Sequence, residues 1–172
     1  GSGGAQVQRA QGLRRRALRA TQVLQQERHG ATPMSATFIA DGRRARVLGC
    51  NRQLTRAKHD RPFVWCGVIG PVPVSADVAA QVDAALTALV PSFGLRGLGS
   101  LDFLGFEEDG RIEVLEVNAR MPASAQLYAA AGCNVIEAHV RACERGVLPA
   151  ATTTIGPRGV AVVFAPRELQ LS

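Results

Sequence analysis

Three residues of this chain combine types and spacing that suit chemistry: Asp102, Glu116 and Asn118. They stand in the stretch from Gly99 to Ser124, GSLDFLGFEEDGRIEVLEVNARMPAS, on two apolar runs separated by Glu107-Glu108-Asp109-Gly110. Two carboxylates and an amide carbonyl are hard oxygen donors suited to Mg²⁺ or Mn²⁺, ions that keep positions open for phosphate oxygens. Polar groups set in apolar strands are costly unless something binds them. Arg120 follows two residues beyond Asn118, on the same side if the strand continues that far. Its guanidinium keeps its charge and its planar fork suits a phosphate; a surface ion pair is the alternative. Ser124 either receives phosphate or substrate at the end of this stretch or caps the alanine-rich helix that follows.

Whether Asp102 meets the other two depends on the turn. A three-residue loop, Glu108 to Gly110, with Gly110 in the left-handed conformation as a bulge, pairs Glu107 with Arg111 and Asp102 with Glu116. A two-residue Asp-Gly loop would set Asp102 opposite Val117, on the wrong face. In the productive register Leu104, Phe106, Ile112 and Val114 share the ligand side as a flat apolar floor, which suits a purine ring. Glu107, Glu108 and Asp109 read as a solvated turn.

The elements that must hold this hairpin follow from pattern. Thr21 to Gln25 reads as a strand and Gln26 to Pro33 as a connection. Met34 to Ala40 pairs through Asp41-Gly42 with Arg44 to Cys50, and Pro62 to Ile69 is a further strand. A helix starts at Ser75 with Val78, Val82, Leu86 and Leu89 on one face, and Pro91 and Gly94 end it. Asn134 and Glu137 form a capping box for a helix ending at Gly146, and a last strand spans Gly159 to Ala165. The succession predicts an α+β layer: an antiparallel sheet with helices on one face, the other face left open for ligand.

Composition bounds the class. At 172 residues the chain can form one domain or one and a part, burying about 70% of its unfolded surface. A hydrophobic content of 47% against 20% charged residues excludes a disordered chain. No apolar run approaches the roughly 20 residues of a membrane span, and no secretory signal is visible. Cys50, Cys66, Cys133 and Cys143 are scattered without paired spacing and read as reduced core thiols, so zinc and disulfides are not expected. The net charge of +6 comes from arginine, with Lys58 the sole lysine. Arg14-Arg15-Arg16 is the one basic run, and a single Trp65 and Tyr128 do not make the basic and aromatic surface of a nucleic-acid binder.

The pattern D-F-L followed by L-E-V-N-A-R-M-P-A-S resembles the metal-binding hairpin of ATP-grasp enzymes, particularly the branch of predicted ATP-dependent carboligases. The resemblance runs almost end to end. VLQQERHGATPMSATFIADGR is similar to the family's adenine hinge and following strand, GLRGLGSLDF to its approach to the first metal ligand, and GVAVVFAP to a late strand. GSGG, Gly1, Ser2, Gly3 and Gly4, resembles the mobile glycine-rich loop over the phosphates; as bare residues the four equally suit a flexible linker.

The resemblance implies an ATP-grasp fold with ATP held between two subdomains: residues 1–33 as the remnant of the smaller one, 34–172 as the larger one with the metal site. It implies Asp102, Glu116 and Asn118 as ligands of Mg²⁺ or Mn²⁺, Arg120 as the catalytic cation, Gln26, Glu27 and His29 as hinge groups at adenine and ribose, and Leu104 packing on adenine. Gly1 to Gly4 and Ser124 would attend the phosphates. The implied chemistry is two-step ligation of a small-molecule carboxylate and an amine through an acyl phosphate, in the cytoplasm. Relatives carry a strand lysine and an N-terminal substrate domain before the glycine-rich loop, so the fold is expected to be incomplete here, with that domain in a longer chain or a partner subunit. A non-catalytic nucleotide- and metal-binding module is the alternative, and a basic nucleic-acid-binding domain is a third reading.

Overall fold

The structure, a computed structural model, describes residues 30–58, 61–130, 132–150 and 156–161. Its elements in chain order are β1 (Ala31–Asp41), β2 (Ala45–Lys58), β3 (Arg61–Val72), α1 (Ala76–Phe93), β4 (Arg96–Phe106), β5 (Ile112–Asn118), α2 (Ala125–Ala129), α3 (Val135–Arg145) and β6 (Arg158–Ala161). The six strands form one antiparallel sheet in the order β5-β4-β1-β2-β3-β6. The α+β class and the antiparallel sheet are therefore as expected. The strand expected over Thr21 to Gln25 and the end of the last strand lie outside the described residues. No helix among the described residues is long and apolar enough to cross a membrane.

Alternation along β1 separates two cores. Ala36, Phe38 and Ala40 join Leu101 and Phe103 of β4 under Val78, Val82, Leu86 and Val90 of α1. Ile39 faces the other way and joins Leu98, Leu127, Tyr128, Val135 and Ala142, which brings α2 and α3 onto the opposite face. The expectation of helices on a single face is corrected by this second cluster. The physical reason is that β1 and β4 are apolar on both sides near Ile39 and Leu98, and a two-sided strand needs cover on both. Only the part of that second face nearer the β4–β5 hairpin stays open.

The helix ends follow local chemistry. Ser75 Oγ accepts the Val78 N–H at 3.2 Å, and Gly94 stops α1 in the left-handed conformation (φ 59°) with its N–H on the Val90 carbonyl. Pro91 does not end the helix but sits in its last turn. Asn134 and Glu137 make the expected capping box, Glu137 N–H to Asn134 Oδ1 at 3.1 Å and Asn134 Nδ2 to Glu137 Oε2 at 3.1 Å. Where β4 runs past the end of β5, the Leu98 N–H is taken by His139 Nδ1 of α3 at 2.9 Å. The four cysteines are free thiols; Cys50 is buried and the other three are half-buried.

The hairpin reaches the productive register by an unexpected route. Phe106 and Arg111 close a four-residue loop, with the Phe106 N–H on the Arg111 carbonyl at 2.9 Å and the Gly110 N–H on the Phe106 carbonyl at 3.0 Å. Gly110 takes the left-handed conformation (φ 65°), as expected. Near the loop Gly105 pairs with Ile112, Leu104 with Glu113 and Phe103 with Val114; one step on, Asp102 pairs with Glu116. Leu115 is thus an extra residue, a β-bulge that restores the alignment the longer loop would have lost.

Candidate active site

Cross-strand partners share a face of the sheet, and here the pairs Asp102 with Glu116 and Ser100 with Asn118 place all four side chains together. Asn118 Nδ2 donates to Asp102 Oδ2 at 3.1 Å and to Glu116 Oε1 at 2.9 Å. Asp102 is half-buried while Glu116 reaches solvent. Burial, and next the facing charge of Glu116, push the Asp102 carboxyl up to about 6, against hydrogen bonds from Ser100 and Gln53. Two carboxylates with one neutral amide between them are short of positive charge, the deficit that a divalent ion fills. The donor set fits such an ion once the terminal amide of Asn118 turns its oxygen inward, a rotation about a soft torsion. Among the described residues no third His, Cys, Asp or Glu joins the pair.

These residues line one end of a cavity of about 440 Å³. Arg120, Pro122, Ala123 and Ser124 form its near wall, Ser35 and Ser100 its base, and Gln53, Trp65 and Val68 its far end. Arg120 is exposed and Ser124 buried. Ser124 makes no capping bond to α2; its hydroxyl instead shares a hydrogen bond with Thr37 Oγ1 at 2.7 Å. The structure thus gathers Asp102, Glu116, Asn118, Arg120 and Ser124 in one place.

Other expectations fare differently. Leu104 stays on the cavity side of β4 but is opposite Glu113 rather than Val114, because the bulge shifts the loop end of β5 by one residue. Ile112 packs with the α1 cluster instead, so the apolar floor is corrected to Leu104 and Phe106, with Arg111 stacked 4.0 Å above the Phe106 ring. Asp109 is not merely solvated: its carboxylate accepts the Arg111 N–H at 3.0 Å and pairs with the guanidinium at 3.3 Å. Gly1, Ser2, Gly3, Gly4, Gln26, Glu27 and His29 lie outside the described residues.

The sequence reading passed over a buried polar chain beneath the cavity. Tyr128 O–H donates to Asn51 Oδ1 at 2.8 Å, and Asn51 Nδ2 donates to Thr37 Oγ1 at 3.0 Å, which meets Ser124. Asn51, Thr37 and Tyr128 are fully buried. The signal was available: Ser35, Thr37 and Asn51 are polar positions in otherwise apolar strands, the same property that marks Asp102. Gly70 makes room for the chain, since a Cβ there would lie 2.1 Å from Asn51 Oδ1.

A family model described as an ATP-grasp domain matches residues 1–124. No curated protein sequence matches the chain. Among solved structures, an ATP-grasp superfamily protein from Archaeoglobus fulgidus is 20% identical with a TM-score of 0.59, covering 80% of this chain and 40% of that one. Biotin carboxylase from Campylobacter jejuni, in a complex with β-γ-ATP, is 16% identical with a TM-score of 0.57 over 73% of this chain and 28% of that one. The biotin carboxylase domain of Hydrogenobacter thermophilus 2-oxoglutarate carboxylase, solved with MgADP, is 12% identical with a TM-score of 0.57 over 73% and 27%. The chain therefore spans well under half the length of these relatives. With the family model covering the hairpin, the two carboxylates and the loop to Ser124, the chain belongs to the ATP-grasp family.

Proposed function

We propose that this chain is the ATP- and Mg²⁺-binding portion of an ATP-dependent carboxylate–amine ligase. One observation carries the reading: Asp102, Glu116, Asn118, Arg120 and Ser124 line a single cavity in a chain of ATP-grasp fold. Asp102, Glu116 and the Asn118 carbonyl would hold the divalent ion, which when bound neutralises charge gathering on the phosphoryl oxygens. Leu104 and Phe106 offer the apolar surface for adenine. Gln26, Glu27 and His29 would meet its edge and the ribose, and Gly1 to Gly4 would close over the phosphates. In this reading residues 1–33 belong to the smaller subdomain and 34–172 to the larger one, a substrate domain is supplied by a longer chain or partner, and the enzyme works in the cytoplasm.

The chemistry asks little covalent work of the protein. A substrate carboxylate oxygen attacks the γ-phosphorus, the bond to the bridging oxygen breaks, and ADP departs. The amine nitrogen then attacks the acyl carbon, phosphate leaves with the former carboxylate oxygen, and the amine proton passes to solvent. Arg120 steadies the transferring phosphoryl group through its planar fork. Ser124, fixed by Thr37, offers a hydroxyl whose direction is set in advance.

Single-turnover release of γ-labelled phosphate from ATP tests this. Release that requires Mg²⁺, a carboxylate and an amine together supports the ligase. Tight Mg-ATP binding with no release under any pairing overturns catalysis by this chain and leaves a nucleotide-binding module, a reading favoured by the fraction of its relatives' length that the chain spans.

A further inference from the structure

The cavity extends well beyond the acidic pair. Sheet order sets β3 three strands from β4, about 14 Å at about 4.8 Å per strand, and Trp65 and Val68 line the wall at that far end. A nucleotide that follows Leu104, Asp102 and Arg120 runs along β4, which leaves the β3 end free for the second substrate. Among the described residues lining the cavity, that end carries no formal charge, and Arg120 is the only cation anywhere on its wall. Trp65 packs its inner part against the Ile39–Leu98 core yet is only half-buried. A rigid aromatic ring beside an aliphatic side chain recognises flat apolar groups at little cost in conformational entropy.

Resting on the nucleotide reading above, we propose that the carboxylate substrate is a monoanion with an aromatic or apolar body: Trp65 and Val68 seat the body, and Arg120 takes the carboxylate. A second charge on that body, as in an acidic amino acid, would lie against Trp65 and Val68 without a partner and lose its hydration.

Trp65 is the single tryptophan of the chain, so its emission reports the site directly. The experiment titrates the full 172-residue chain with 4-phenylbutyrate and with glutamate, in Mg-ADP, following tryptophan emission and equilibrium dialysis of labelled phenylbutyrate. Saturable binding of phenylbutyrate at least tenfold tighter than glutamate is expected. Trp65→Ala weakens it tenfold or more by dialysis, and Trp65→Phe, which keeps an aromatic ring and the core contact, stays within about threefold of the parent. Glutamate binding as tightly as phenylbutyrate, no phenylbutyrate binding, or Trp65→Ala binding like the parent would each overturn the proposal. Dialysis of labelled Mg-ADP alone separates the two claims: failure there removes the nucleotide reading, and phenylbutyrate dialysis without nucleotide still reads the Trp65 site.

Discussion

Asp102 faces Glu116 across the β4–β5 ladder because Leu115 bulges out between Glu116 and Val114. The bulge absorbs the one residue by which a four-residue loop misaligns the two strands. Deleting Leu115 should therefore straighten β5 while leaving Asp102 opposite Glu116 and Phe103 opposite Val114. Deleting Val117 should instead carry Asn118 to the other face. Titration with Mn²⁺ followed by paramagnetic resonance is expected to show affinity kept within about threefold in the first variant and lost in the second.

The raised acidity constant of Asp102 has a signed consequence for stability. The carboxyl titrates near 3.8 when unfolded and at about 6 when folded, so the folded state holds the proton more tightly. The contribution is full below about pH 4 and is lost as pH rises through about 6, because the unfolded chain then gains the ionised form first. In metal-free protein, urea midpoints should fall across this window and level off above it. Asp102→Asn should flatten that decline, and added Mg²⁺ should raise the midpoint of the parent at pH 7 but not of the variant.

Beneath the site, Tyr128→Phe leaves Asn51 Oδ1 without its donor in a fully buried place. Unfolding free energy should drop by about 1–3 kcal/mol. Gly70→Ala should be worse tolerated, since its methyl would lie 2.1 Å from the same oxygen and neither the buried amide nor the strand backbone can readily give. Denaturant unfolding of both variants checks the order.

Leu86 is 2% exposed on the far side of the sheet, under α1. Leu86→Ala should cost about 2–5 kcal/mol with no change in Mn²⁺ affinity once the protein is folded. A parallel loss of metal binding at full occupancy of the native state would show that the two faces are coupled through β4.

Arg120→Lys keeps the charge but loses the fork. Under the proposed function, single-turnover phosphate release should slow by about 10² or more, the size expected for one transition-state donor, while Mg-ATP affinity changes less than tenfold. Rapid-quench measurement of both quantities separates these effects.

Much of this protein was legible in one dimension. The alternation around Asp102, the pair Glu116 and Asn118 two residues apart, the Ser75 and Asn134 caps and the Gly94 and Gly146 stops are all local. Local backbone preference and side-chain period dictate them before any tertiary contact forms. The sequence also carried the family resemblance and the gathering of the acidic pair.

What it did not contain was the means and the surroundings. The loop and the bulge at Leu115 are two compensating irregularities, each cheap, and choosing between them depends on how β5 is held against β4. The two-sided core, with α2 and α3 shelved beside the site, depends on which apolar faces find each other at long range. The same is true of the chain from Tyr128 through Asn51 and Thr37 to Ser124, whose members are up to 91 positions apart by number from Thr37 to Tyr128. Such contacts arise when strands distant in sequence pack side by side, and the tertiary fold alone decides which polar groups then share a buried space.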